Sequence, residues 1–269
     1  MTGFAQKVAD LTGVDESRLE RLAGGDLSEV LLVPRAGAPA LVAKGGPSVA
    51  AEAAMLRALA GVGVKAPAVE AEYDTILLIA HVPNDGVMSP NAWWEIGDAV
   101  ARLHAERGEA YGWPVDYALG TVALDNREGR DWVRFWGEQR LIAASSLLDR
   151  PWRARVEALA RRLGALIPGD PPPALLHGDL WSGNILVEGG RLAALIDPAC
   201  YHGHAEVDLA MLCLFSTPPA EFWTAYGGKP DGWEDRLPVY QLFPALVHFR
   251  LFGATYAPMV DRLLGAAGF

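Results

Sequence analysis

The chain has 269 residues, 23 Lys and Arg against 33 Asp and Glu for a formal charge of −10, and 51% of its residues are hydrophobic. That length makes one large domain or two small ones, and the composition excludes collagen-like, coiled-coil and disordered classes. The acidic balance excludes the long-range field that gathers nucleic acid or an anionic bilayer, and two cysteines, Cys200 and Cys213, are too few for a disulfide scaffold. Neither a basic opening followed by an apolar run nor a bilayer-length apolar stretch occurs, so a cytoplasmic protein is expected, with its oligomeric state open.

Phe4, Val8 and Leu11, at i, i+4 and i+7, predict a first helix. A turn-rich break at 22–28 then leads into the apolar run Val30 to Val33. Pro34 to Pro39 reads as a hairpin loop, and Ala40 to Lys44 as the returning strand. The alanine-rich stretch Ser48 to Ala60 predicts a helix with Met55, Leu56 and Leu59 as its apolar stripe, stopped by Gly61 and Gly63. Val69 and the run Ile76 to Ile79 predict further strands, so residues 1–82 read as a small α+β unit on one sheet. From Pro83 the pattern becomes helical: Ser89-Pro90-Asn91 is a start signal, and Trp93, Ile96, Val100 and Leu103 follow at helical spacing. Arg130 to Leu148 and Trp152 to Leu166 continue it. Two short strands, Ile185 to Val187 and Leu192 to Ile196, flank the turn Gly189-Gly190, and a helical tail from Leu209 is broken at Pro218, Pro219, Pro230 and Pro238. The layout is a small mixed lobe, 1–82, and a larger mainly helical lobe, 83–269, with a ligand expected between them.

The chemistry concentrates in LLHGDLWSGNIL at Leu175 to Leu186, followed by LIDPA at Leu195 to Ala199. Asp179 and Asn184 stand five residues apart in a loop entering a strand, and Asp197 ends the next strand, where hairpin pairing brings it to Asn184. Oxygen donors of this kind suit magnesium, which takes one or two protein groups beside waters and phosphate oxygens. A separate carboxylate facing the metal is placed to orient or deprotonate a hydroxyl.

The catalytic-Asp, four-residue, Asn spacing and the HGD triplet resemble the protein-kinase-like fold in its small-molecule branch. HGDLWSGN at His177 to Asn184, DPACYHGHAEVDLAML at Asp197 to Leu212, FWGEQRL at Phe135 to Leu141, GTVALDN at Gly120 to Asn126 and YQLFPALVHFRLFG at Tyr240 to Gly253 are similar to the fructosamine kinase (ketosamine-3-kinase) family. The resemblance runs from about Leu22 to Gly253.

It implies a two-lobed α+β fold and transfer of the γ-phosphoryl of ATP, with Mg2+, to the 3-hydroxyl of a fructosamine or ribulosamine. The acceptor would be a small glycated amine, free or displayed on protein. Asp179 would be the base and Asn184 and Asp197 the metal ligands. Lys44 would contact phosphates, paired with Glu52; Gly24, Gly25 and Ser28 would form the nucleotide loop; Ala80, His81 and Val82 would meet adenine at a hinge. His177 would brace the loop, and Asp208 would steady it. Trp181 is either a platform for a sugar ring or a packing residue, and Tyr201 and His204, with Glu206 nearby, would line the acceptor pocket. HGD without the arginine of a protein kinase, and Pro198 after Asp197, imply no control by activation-loop phosphorylation. Another acceptor, such as an aminoglycoside or amino alcohol, and an inactive nucleotide-binding pseudokinase are the rival readings.

Overall fold

A computed structural model describes residues 3–22 and 29–269. Gly24, Gly25 and Ser28 lie outside them.

Helix α1 (Phe4–Thr12) precedes a five-stranded antiparallel sheet of β1 (Glu20–Arg21), β2 (Val30–Arg35), β3 (Ala38–Gly45), β4 (Val69–Glu72) and β5 (Ile76–Ala80), in the order β1-β2-β3-β5-β4. Helix α2 (Val49–Gly61) crosses from β3 to β4. Alternate strand residues face opposite sides of a sheet, and the two sides bury different helices. Leu31, Val33, Leu41, Ala43, Ile76 and Leu78 pack on Val8 of α1, whereas Val42, Leu77 and Ile79 pack on Val49, Ala53 and Leu56 of α2. Lys44 therefore shares the α2 side with Val42, and its register partner Leu77 faces the same way. The hairpin turn is tighter than the Pro34–Pro39 loop expected: β2 runs to Arg35 and β3 starts at Ala38, with Gly37 at φ +71°.

Helix α3 (Pro90–Ala105) starts as predicted, with Ser89 capping it by accepting from Ala92 N at 3.0 Å. Beyond it come the hairpin β6 (Tyr117–Leu119) and β7 (Val122–Leu124), then α4 (Trp132–Arg134), which widens into a π-helical stretch (Phe135–Ile142) before α5 (Ala143–Ser145) and α6 (Arg150–Ala160). β8 (Ala174–Leu176), β9 (Ile185–Glu188), β10 (Arg191–Leu195) and β11 (Tyr201–Gly203) form two small sheets, β8 with β11 and β9 with β10. The short strands β6, β7, β8 and β11 carry no alternation long enough to predict. α7 (Glu206–Phe215), α8 (Ala220–Tyr226), α9 (Trp233–Phe252) and α10 (Ala257–Ala266) complete the chain. Pro238 does not break the helical tail as expected: α9 runs through it and through Pro244. The carbonyl that Pro238 leaves without a helix partner belongs to Glu234, an exposed residue that water can reach.

The linker after β5 is stitched to the β9–β10 hairpin. Asp85 N donates to Val187 O at 2.9 Å, Asn84 Oδ1 accepts from Val187 N at 3.0 Å, and Ser89 Oγ donates to Gly190 O at 2.6 Å. From the sheet side, Lys65 Nζ reaches Leu192 O at 2.7 Å and Leu195 N donates to Lys65 O at 2.8 Å. The hairpin is thereby fixed beneath the sheet, with its Asp197 end facing Lys44.

Candidate active site

Lys44 Nζ pairs with Glu52 Oε1, supplied from the first turn of α2, and lies 2.6 Å from Asp197 Oδ1. Lys44 and Glu52 are buried, at 6% and 7% exposure. Burial works against the lysine's charge, but the two carboxylates outweigh it and raise its pKa. Asp197 holds φ +54°, the one non-glycine residue at positive φ among the described residues, a conformation Asp tolerates better than most.

Across the cleft, the HGD loop is tied down from behind. Asp208, in the first turn of α7 and wholly buried, accepts from His177 N at 2.7 Å, Gly178 N at 2.9 Å and His104 Nε2 at 3.1 Å. His177 Nδ1 accepts from Asp179 N, so its other nitrogen carries the proton donated to Ile196 O at 3.0 Å; burial lowers its pKa and keeps it neutral. Gly178, at φ +80°, lies so close to the Ala199 carbonyl that a Cβ there would clash with it. That approach explains why the loop reads His-Gly-Asp: no side chain fits at the middle position.

Asn184 Nδ2 donates to both Asp179 Oδ2, at 2.9 Å, and Asp179 O, at 2.8 Å. Burial raises the Asp179 pKa to about 7, with the charges of Asp197 and Asp208 adding to the rise and the Asn184 hydrogen bond opposing it. Asn184, with its amide nitrogen committed to Asp179, has its Oδ1 left for a cation; Asp197 keeps Oδ2, since Lys44 takes Oδ1. No cluster of three His, Cys, Asp or Glu able to hold a metal occurs among the described residues. Two protein oxygens completed by water and phosphate oxygens is the donor set magnesium accepts, so these residues fit it.

Lys44, Glu52, Asp179, Trp181, Asn184 and Asp197 line one cavity. The Trp181 ring lies over Gly183, where a Cβ would strike it, and packs edge-on against Phe215 at 6.0 Å. Ala80, His81 and Val82 do not line this cavity; Ala80 closes β5 and His81 N donates to Ala40 O at 3.1 Å, at the start of the linker.

Tyr201 and His204, expected to line the acceptor pocket, lie outside this cavity. Tyr201, 1% exposed, stacks on Phe135 in the core behind the site, because β11 pairs with β8 and turns that residue inward. His204 hydrogen-bonds Tyr240 OH at 2.8 Å and packs against Trp132; neither residue lines the cavity. Glu206 is held by Arg236, at 2.5 and 2.8 Å. The cavity is walled as well by Tyr117, Leu119 and Gly120 of the β6–β7 hairpin and by His248 and Phe252 of α9. His248 Nδ1 donates to Pro244 O at 2.8 Å, and its ring packs between Phe215, Phe252 and Tyr256. These residues lie within or next to GTVALDN and YQLFPALVHFRLFG, whose similarity to the family flagged the segments without marking the side chains.

A lysine–glutamate pair under a small sheet, facing an Asp–Asn loop and a second Asp at a hairpin end, defines a kinase-like phosphotransferase fold. The fold is shared with an aminoglycoside phosphotransferase in ternary complex with AMP-PNP and hygromycin B, at TM-score 0.70 and 16% identity over 99% of both chains. The chain belongs to the fructosamine kinase family, whose model matches residues 9–267. A crystal structure of a Thermobifida fusca protein, provisionally named a fructosamine-3-kinase, superposes at TM-score 0.86 with 31% identity over 98% of each chain. The chain is also similar to a probable ketoamine kinase of Thermus thermophilus, 35% identical over 91% of this chain and 92% of that one. It is 33% identical over 60% of its length to a chloroplastic protein-ribulosamine 3-kinase of Arabidopsis thaliana, covering 53% of that protein. Alignments with the Lactiplantibacillus plantarum and Enterococcus faecium relatives span 64% and 65% of those proteins.

Proposed function

We propose that the protein is an ATP-dependent ketoamine kinase, moving the γ-phosphoryl of ATP to the 3-hydroxyl of a fructosamine or ribulosamine. The observation that carries this reading is the facing of Lys44–Glu52–Asp197 and Asn184–Asp179 across one cavity, in a chain of the fructosamine kinase family.

In this reading Lys44, held by Glu52, grips the phosphates, and adenine meets the backbone at Ala80 to Val82. The boundary between the two lobes falls there, at 82/83. Asn184 and Asp197 would hold Mg2+, which when bound neutralises phosphate charge. Asp179, kept in place by Asn184, receives the acceptor hydroxyl and takes its proton as the oxygen bonds to the γ-phosphorus and the bond from that phosphorus to the β–γ bridging oxygen breaks, releasing ADP. The rate comes mostly from positioning and charge neutralisation. Trp181, Phe252, His248 and Tyr117, which line the cavity together, would supply the rings for the carbon face of a sugar. The substrate is a small glycated amine, free or displayed on protein, and a cytoplasmic location is part of the reading; among the described residues no helix is long and apolar enough to cross a membrane.

The test is ATP consumption against a panel of fructosyl-amines, ribulosyl-amines, aminoglycosides and choline-like alcohols. Glycated amines should be turned over with a kcat/KM far above the others, because a site built for a polar substituent rejects analogues lacking it by about 10⁴ or more. Faster turnover of an aminoglycoside would move the protein to the antibiotic-kinase branch of the fold, and no turnover at all to the pseudokinases.

A further inference from the structure

Arg140 sits in the π-helical stretch with no exposed surface and, among the described residues, no carboxylate partner. Its guanidinium lies 4.3 Å from the Tyr201 ring centre and 4.6 Å from that of Phe135. Its two terminal nitrogens reach one short segment: Nη1 donates to Asp125 O at 2.7 Å, and at 3.3 Å to Gln139 O, and Nη2 donates to Asn126 Oδ1 at 2.7 Å, while Nε has no partner among the described residues.

Asn126, also fully buried, uses every group it has. Its N donates to Asp116 Oδ1 at 2.8 Å, its Nδ2 to Val115 O at 3.2 Å, and its O accepts from Trp113 N at 2.9 Å. Residues 113–116 and 125–126 are the two chain ends where the β6–β7 hairpin leaves the body of the protein. The same hairpin carries Tyr117, Leu119 and Gly120 into the cavity that Asp179 also lines. A guanidinium buried with no carboxylate in contact is costly, and Asp125 and Asp116 act on this one only from a distance. What this one does is tie together the base of a hairpin whose residues wall the cavity.

We infer that Arg140 and Asn126 form a clamp that positions the β6–β7 hairpin, and Tyr117 with it, for the acceptor, making Arg140 a positioning residue for acceptor recognition and not for ATP. The inference rests on the proposed kinase reading. Tyr201, turned away from the cavity, takes part as one wall of the Arg140 cage. Lysine, a point charge, cannot fork to both Asp125 O and Asn126 Oδ1, so Arg140→Lys keeps the charge and loses the clamp.

The experiment compares wild type with Arg140→Met, Arg140→Lys and Asn126→Asp, using fructosyl-lysine as acceptor. Displacement of a substrate wall by about 1 Å costs on the order of 100-fold in kcat/KM. The clamp predicts that loss in Arg140→Met, carried by the acceptor KM, with ATP KM changed less than about twofold and Arg140→Lys between it and wild type. Hydrogen exchange gives a readout that needs no acceptor: amides of 117–124 should exchange faster in Arg140→Lys while those of 177–184 stay as in wild type. A wild type inert towards fructosyl-lysine would sink the ketoamine reading alone, leaving the exchange result to decide on the clamp. If Arg140→Met does not fold, the other two variants carry the comparison. Acceptor and ATP KM rising together, or unchanged 117–124 exchange in Arg140→Lys and Asn126→Asp, would overturn the proposal.

Discussion

Lys44 and Asp197, 153 residues apart in sequence, meet at 2.6 Å across the cleft and join the third strand of the sheet to the end of the β9–β10 hairpin. The contact places a cation from one lobe beside an oxygen donor from the other, and Glu52 completes it from α2.

That arrangement predicts an uneven cost for its two buried members. Lys44→Met strands the buried Glu52 carboxylate, and removing one partner of a buried pair costs about 3–5 kcal/mol. Adding Glu52→Gln to Lys44→Met should recover part of the loss, because the double variant no longer buries an uncompensated charge. Denaturant unfolding of the two single variants and the double one measures this. Additive losses would show that Lys44 and Glu52 do not depend on each other.

Gly178 predicts a local lesion with a functional readout. Gly178→Ala must either leave φ +80° or push Ala199 away, and both displace Asp179 next to it. Turnover should fall by about 100-fold. A Gly178→Ala enzyme within about threefold of wild type would mean that the HGD turn does not set the position of Asp179.

The returning strand that ends near Lys44 was legible in the sequence, as were the Ser89 start of α3 and the Gly189-Gly190 turn; the side that Lys44 faces was not. Asp179, Asn184 and Asp197 were legible because loop and hairpin spacing are local. Tyr201 and His204 misled for the opposite reason. Nearness in sequence to Asp197 says nothing of which way a three-residue strand turns its side chains, and pairing of β11 with β8 sends Tyr201 into the core. Tyr117 and His248 were silent because their segments reach the cavity only through long-range packing, on a hairpin too short to show alternation and on a stretch of α9, Leu242 to Phe252, in which only His248 and Arg250 are polar.

His204 gives a prediction in pH. Burial lowers its pKa to about 3, with the Arg236 charge adding to the effect. The unfolded chain takes up this proton near pH 6.5 and the folded protein does not, so the stability that the neutral ring contributes is present above that pH. It is lost as pH falls towards 3, with a slope of up to about 1.4 kcal/mol per pH unit. His204→Asn should be less stable at neutral pH but should lose stability less steeply between pH 6 and pH 4. Equal slopes in wild type and variant would show that His204 is protonated in the folded protein.

Asn184 and Asp197 predict a dependence of nucleotide binding on the cation. ATP with magnesium at 100 times its Kd should stabilise the fold by about 2.7 kcal/mol. For a chain of this size that raises the Tm by about 5–10 °C. ATP with chelator should raise it much less, since an acidic cleft without the cation repels the triphosphate. In Asp197→Ala the two conditions should give the same shift. Equal shifts in wild type would remove Asn184 and Asp197 from the metal site.

The central claim, that this cavity transfers phosphate with Asp179 as the base, is tested most directly by the rate of ADP formation from ATP and fructosyl-lysine in wild type and Asp179→Asn. The replacement keeps the size of the side chain. Loss of a general base costs about 10²–10⁴-fold. The account predicts a fall of that order, with the magnesium-ATP shift in Tm retained. An Asp179→Asn enzyme that keeps more than about a tenth of the wild-type rate would contradict it, since general-base loss alone exceeds that margin.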